Sequence, residues 1–192
     1  MFIQTEATPN PATLKFLPGR EVLGAGTMDF VSPEAAAASP LARALFETGD
    51  VAGVMLGADF LTVTKSEGVP WEHVKPALLA AIMDHYLSGA PVLGEGASPA
   101  AEGVEADVAY DEVTQGIVTE IKEIIETRVR PAVAADGGDI LFHRFDSETG
   151  VVFLTMRGAC SGCPSSALTL KSGIENLLRH YVPEVVAVEA VG

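Results

Sequence analysis

The chain opens on an alternating run, FIQTEA, followed by PNPATLKFLPG, where Pro and Asn mark a turn between two short strands. Leu41, Leu45 and Phe46 then share one face of a helix expected over 39–48, and Ser39–Pro40 suits its start. VAGVMLGADFLTVTKS predicts a hairpin that turns at Gly57–Ala58–Asp59. Val74, Leu78, Ile82 and Tyr86 recur at helical spacing and predict a second helix over 71–87.

A further set of elements follows. Val113, Ile117, Ile121, Ile125 and Val129 form one apolar stripe, predicting a helix over 112–134. Asp136-Gly137-Gly138-Asp139 ends it, because glycine supplies the positive φ of a helix exit. Strands over 140–145 and 151–156, joined by DSETG, lead through a cysteine-bearing loop to a helix over 164–181 and a last strand in VVAVEAV. The fold class expected is α+β: two small α+β domains, the second in the order helix, strand, strand, helix, strand.

Composition sets the boundary between them. GAPVLGEGASPAAEGVEADVA, residues 89–109, holds four acids, no bases and many Gly, Ala and Pro residues, and reads as a flexible acidic linker. The domains are therefore placed at 1–88 and 110–192. With 192 residues and 48% hydrophobic content the chain is core-forming rather than disordered. No apolar run reaches the roughly 18 residues of a membrane span, and the start lacks the features of a secretory signal. The expected compartment is cytoplasmic, or the mitochondrial matrix for a processed eukaryotic chain. A net charge of −14 disfavours polyanions, so nucleic acid is not an expected partner. Phosphate-loop and dinucleotide fingerprints are absent.

The candidate chemistry lies in GACSGCPSSALTLKSGIENLL, which contains Cys160 and Cys163, the only cysteines in the chain. Gly158 and Gly162 flank a tight turn, and Pro164 stands where a first helical residue belongs. That arrangement brings both thiols to a helix N-terminus, whose partial positive charge is expected to lower a thiol pKa and favour thiolate. A thioredoxin-type dithiol shares the local geometry, but only 29 residues follow Cys163, and the usual preceding Trp is missing. Zinc and iron–sulfur clusters generally want four protein ligands, and one chain offers two thiols. His143 lies within a strand pattern and His180 ends a helix, while His73 and His85 sit in the first domain with no carboxylate pattern around them. The simplest completion is a second copy of the same loop, related by a two-fold axis.

VRPAVAADGGDI, a hairpin, and then MRGACSGCPSSALTLKSGIENLLRHYVPEV resemble the C-terminal domain of NifU and of Nfu-type iron–sulfur proteins. MFIQTEATPNPATLKFLPGREVL is similar to the Nfu N-terminal domain. The resemblance implies a scaffold or carrier, not an enzyme. It would hold a [4Fe–4S] cluster between two chains and pass it to apo iron–sulfur client proteins, in company with other cluster-assembly factors. Its ligands map onto Cys160 and Cys163, with a homodimer when cluster is bound. Asp136, Gly137, Gly138 and Asp139 match the family's acidic glycine turn, for which a backbone role is expected. NifU's additional cysteine-rich domains have no counterpart in this sequence, which favours carriage and delivery. The competing readings are a zinc-binding structural dimer and a CxxC dithiol oxidoreductase. The first domain, without cysteine, is expected to serve client or partner recognition.

Overall fold

The computed structural model describes residues 2–97, 108–161 and 164–191. They divide into two compact units, Met1–Ala101 and Glu102–Gly192, each with its own core. In the first unit, β1 (Gln4–Ala7) and β2 (Thr13–Leu17) pair antiparallel across the expected turn. There the Asn10 side chain accepts from the Ala12 N–H at 3.0 Å, an Asx turn that reverses the chain. β3 (Met28–Phe30) is followed by a single 3-10 turn and by α1 (Pro40–Glu47). Ser39 caps α1, its hydroxyl accepting from Ala42 N–H at 3.1 Å, and Pro40 fills the first helical position, where no N–H is needed.

β4 (Val51–Leu56) and β5 (Leu61–Lys65) form the expected hairpin, and α2 (Trp71–Ser88) ends at Gly89 in a left-handed conformation, φ 70°. The five strands run in the order β1-β2-β5-β4-β3. Leu41, Leu45, Val74, Leu78 and Ile82 from the helices join Phe16, Val54, Leu56, Leu61 and Val63 from the sheet in one core. β3 was not expected. Its three residues, Met28-Asp29-Phe30, alternate apolar and polar but are too few to read as a strand, and pairing with β4, Met28 opposite Leu56 and Phe30 opposite Val54, makes them one.

The stretch 89–109 also departs from expectation. Val92 and Leu93 are partly buried against the first core, the Val92 carbonyl accepts from Ser39 Oγ at 2.5 Å, and Gly94 N–H donates to the Ala38 carbonyl at 2.9 Å. Two apolar residues and two spare hydrogen-bonding groups are enough to hold this part of a Gly- and Pro-rich segment down. The remainder of that segment, 98–107, lies outside the described residues.

The second unit has the expected α+β order, with its first helix in three pieces: α3 (Glu112–Ile124), a π-helical turn over Ile125–Val129, and α4 (Arg130–Ala135). Asp111 caps α3 by accepting from Thr114 N–H at 2.8 Å. Pro131 has no N–H for the α-helical ladder and its ring would press on the Thr127 carbonyl, so the helix widens by one residue just ahead of it. That extra residue shifts the face that follows it, where Val129 and Val133 are buried. Ile124 and Ile125 are both buried, whereas Val113, on the expected stripe, is 77% exposed.

β6 (Gly138–Asp146) pairs antiparallel with β7 (Val151–Gly158), and after α5 (Pro164–Tyr181) the chain returns as β8 (Ala187–Val191), parallel to β7. Ile140, Phe142, Phe145, Val152, Leu154 and Val188 meet the two helices through Val118, Ile121, Ile174 and Leu178. His143 does not simply continue an alternating strand. Pairing steps from Phe142–Leu154 to Arg144–Phe153, leaving His143 as the extra residue of a β-bulge.

Candidate metal centre

The cysteine loop leaves the end of β7, beside the start of β6. Gly138 pairs with Gly158 at that end, and one step further out Ala159 N–H donates to the Gly137 carbonyl at 3.1 Å. Gly137 and Gly158 both have positive φ, 79° and 59°, the conformation each chain needs to leave the sheet. The loop then tightens: the N–H groups of Cys160 and Ser161 donate to the carbonyls of Arg157 and Gly158 at 3.3 and 3.1 Å, and Ser161 Oγ donates to Gly158 O at 2.8 Å.

Cys160 is a core residue, 6% exposed and grouped with the helix and sheet residues of the second unit. Burial, aided by the carboxylates of Asp136 and Asp139, pushes its thiol up to about 12. This reverses the expectation of an open loop with an acidified thiol. The helix-terminal field reaches about one turn, and Cys160 stands four positions ahead of Pro164, so loss of hydration outweighs it. Cys163 and Gly162 lie outside the described residues, and α5 begins at Pro164 as expected.

Near Cys160, Asp139 of the acidic glycine turn gains two side-chain partners that the sequence does not single out, Arg130 and, through it, Glu126. Asp139 is buried, 2% exposed, and its Oδ1 and Oδ2 accept from Arg130 Nε and Nη2 at 2.8 and 2.9 Å. Arg130 Nη1 donates to both oxygens of Glu126 at 2.7 and 2.9 Å, one helical turn back. The acidic glycine turn thus has a side-chain role as well as a backbone one. A bidentate, charge-assisted pair ties the start of β6 to the helix before it. The signal in sequence was faint: Glu and Arg at (i, i+4), then an Asp at the head of an apolar strand.

The histidines do not gather at this loop as a ligand set. His180 is exposed at the end of α5, edge-on to Tyr181 with ring centroids 4.9 Å apart, and His143 occupies the bulge of β6. In the first unit His73 is exposed and His85 is buried. Among the described residues no three His, Cys, Asp or Glu side chains form a group that could hold a metal ion. Soft sulfur ligands suit iron–sulfur clusters and zinc, and Cys160 and Cys163 are the two thiols in the sequence. Also among the described residues, no helix is long and apolar enough to cross a membrane.

Comparison with known proteins bears on both units. The family model described as "Scaffold protein Nfu/NifU N terminal" matches residues 3–89, and that described as "NifU-like domain" matches residues 121–189. NifU-like protein 5, mitochondrial, from Arabidopsis thaliana is 52% identical over 98% of this chain and 67% of its own length. NifU-like protein 4, mitochondrial, from the same plant is 51% identical over 98% of this chain and 65% of its own. The NFU1 iron-sulfur cluster scaffold homolog, mitochondrial, of Drosophila sechellia is 51% identical over 100% of this chain and 65% of its own. This chain therefore spans about two thirds of the length of these relatives. With both family models matched in order and half the residues shared with these relatives, the chain belongs to the NifU-like, Nfu-type family of iron–sulfur cluster scaffold proteins.

Proposed function

We propose that this chain carries a [4Fe–4S] cluster as cargo, held between two copies by Cys160 and Cys163 of each, and delivers it to apo iron–sulfur proteins. The observation that carries the reading is the thiol count. A cubane cluster generally takes four cysteine ligands, and the chain has two cysteines, both in one loop. A two-fold axis beside that loop completes the set with the same residues. The family's scaffold role supports a cluster over zinc. The elevated pKa of Cys160 also works against its serving as the attacking thiolate of an oxidoreductase.

Delivery is ligand exchange. A client thiolate adds at an iron, one of this chain's thiolates leaves and takes up a proton, and no electron moves. The first unit, which has no cysteine, serves recognition of clients or assembly factors. The relatives' names place them in mitochondria. For a chain of eukaryotic origin we propose the same compartment, and the cytoplasm for a bacterial one.

Anaerobic reconstitution followed by sizing and iron and sulfide analysis tests this. The expected product is a brown dimer with about four irons per two chains. A colourless zinc dimer, or a monomer holding a complete cluster, rejects the bridged site. Cys160→Ser or Cys163→Ser should abolish uptake while leaving the metal-free fold in place.

A further inference from the structure

Gly137 and Gly138 are adjacent but answer different demands. Gly137 needs its positive φ, whereas Gly138 lies within β6 without one, so its backbone would accept any residue. Space is what it supplies. A Cβ there would overlap Cys160 Sγ and come within 3.1 Å of both the Arg157 carbonyl oxygen and the Cys160 nitrogen. Sγ therefore occupies the hollow left by the missing side chain, and this is how a loop cysteine comes to be 6% exposed.

The hollow is braced from the next residue. Asp139 Oδ1 accepts from Ile140 N–H at 2.9 Å as well as from Arg130 Nε, and Arg130 is itself held by Glu126. Two parallel N–H···O bonds fix the plane of the carboxylate, and with it the backbone one residue from Gly138.

We propose that Gly138, braced by the Arg130–Asp139 pair, is a positioning residue for Cys160: its hollow seats the thiol in the metal-free chain, and the thiol must leave this seat before a second chain can share its ligand. Only the final clause rests on the function proposed above. The seat itself is a property of the folded metal-free chain. While seated, Sγ is screened from electrophiles, oxidants and stray metal ions. Filling the hollow evicts it, and loosening the brace lets it exchange faster.

The test uses the full chain in a Cys163→Ser background, so that Cys160 is the only thiol, with iodoacetamide as probe under native, metal-free conditions. Gly138→Ala should raise the alkylation rate at least tenfold, and Arg130→Lys or Asp139→Asn, which leave the hollow open, should raise it severalfold. Each rate is repeated at several low urea concentrations, because modification through global unfolding accelerates steeply with urea and modification through local opening does not. Rates within twofold of the parent in both Gly138→Ala and Arg130→Lys overturn the proposal, and so does an acceleration that follows global unfolding. If Gly138→Ala does not fold, the Arg130→Lys rate decides alone. Iron is absent throughout, so failure of the seat and failure of the bridged cluster are read separately.

Discussion

Cys160 and His85 are both kept neutral by burial, and the two shifts run in opposite directions. The Cys160 pKa rises from 9.0 to about 12, so above pH 9 the unfolded chain releases a proton that the folded chain retains. Its contribution to stability is complete below pH 9 and is lost as pH climbs from 9 towards 12. Chemical unfolding across that range should show a steeper alkaline decline for the parent than for Cys160→Ser; parallel curves would contradict the buried thiol. His85, on α2, is 7% exposed, its Nε2 has no hydrogen-bond partner among the described residues, and burial lowers its pKa below 6.5. Here the unfolded chain gains the proton first. The contribution is complete above about pH 6.5 and falls away as pH drops below it. Replacing His85 with Leu should flatten the acid limb of first-unit unfolding, read by fluorescence of Trp71, the chain's single tryptophan.

At the scale of the element, the π-helical turn is the feature with the widest consequences. An i, i+4 run drifts by about 40° per step on a 3.6-residue helix, so Val113 and Ile125, twelve residues apart in sequence, stand about 120° apart around the axis. Ahead of the π-helical turn the buried face runs through Thr114, Val118, Ile121, Ile124 and Ile125, and the residue inserted over Ile125–Val129 carries it on to Val129 and Val133. Ile125→Ala should therefore cost about 2–5 kcal/mol, the range for truncating a buried aliphatic side chain. Val113→Ala should stay within about 0.5 kcal/mol. Equal losses in urea unfolding would place both residues on the core face and contradict this assignment. Arg130, directly after the turn, pairs with Asp139 at 2.8 Å, so the end of this helix also supports the cysteine loop.

For the whole molecule, two cores with no residue in common imply two folding units. A fragment from Tyr110 to Gly192 contains every residue of the second core and both cysteines. It should melt as a single transition close to that of the same unit in the full chain, and take up cluster at the full ratio. A fragment that folds yet stays colourless on reconstitution would show that the first unit contributes to the site. Delivery to clients, measured as activation of an apo-enzyme, is where the fragment should fall behind. A recognition unit joined to the carrier raises the effective concentration of cargo near its acceptor.

Much of this is legible in the sequence. The helices, the three hairpins and the order of the second unit follow from periodicity, because a 3.6-residue or two-residue repeat is imposed by the backbone locally. The demand for a second chain follows from counting thiols. What lies across the sheet was not legible. Residues 138 and 160 meet because β6 pairs with β7, and nothing within either local stretch says that a glycine in one makes room for a sulfur in the other. Arg130 and Asp139 pair across the helix exit, and the three residues of β3 become a strand only against β4. The state of Cys160 shows the difference most plainly: a CxxC beside a helix start reads as an exposed, acidified thiolate. Packing puts that sulfur in the core, where the loss of water exceeds the pull of the helix.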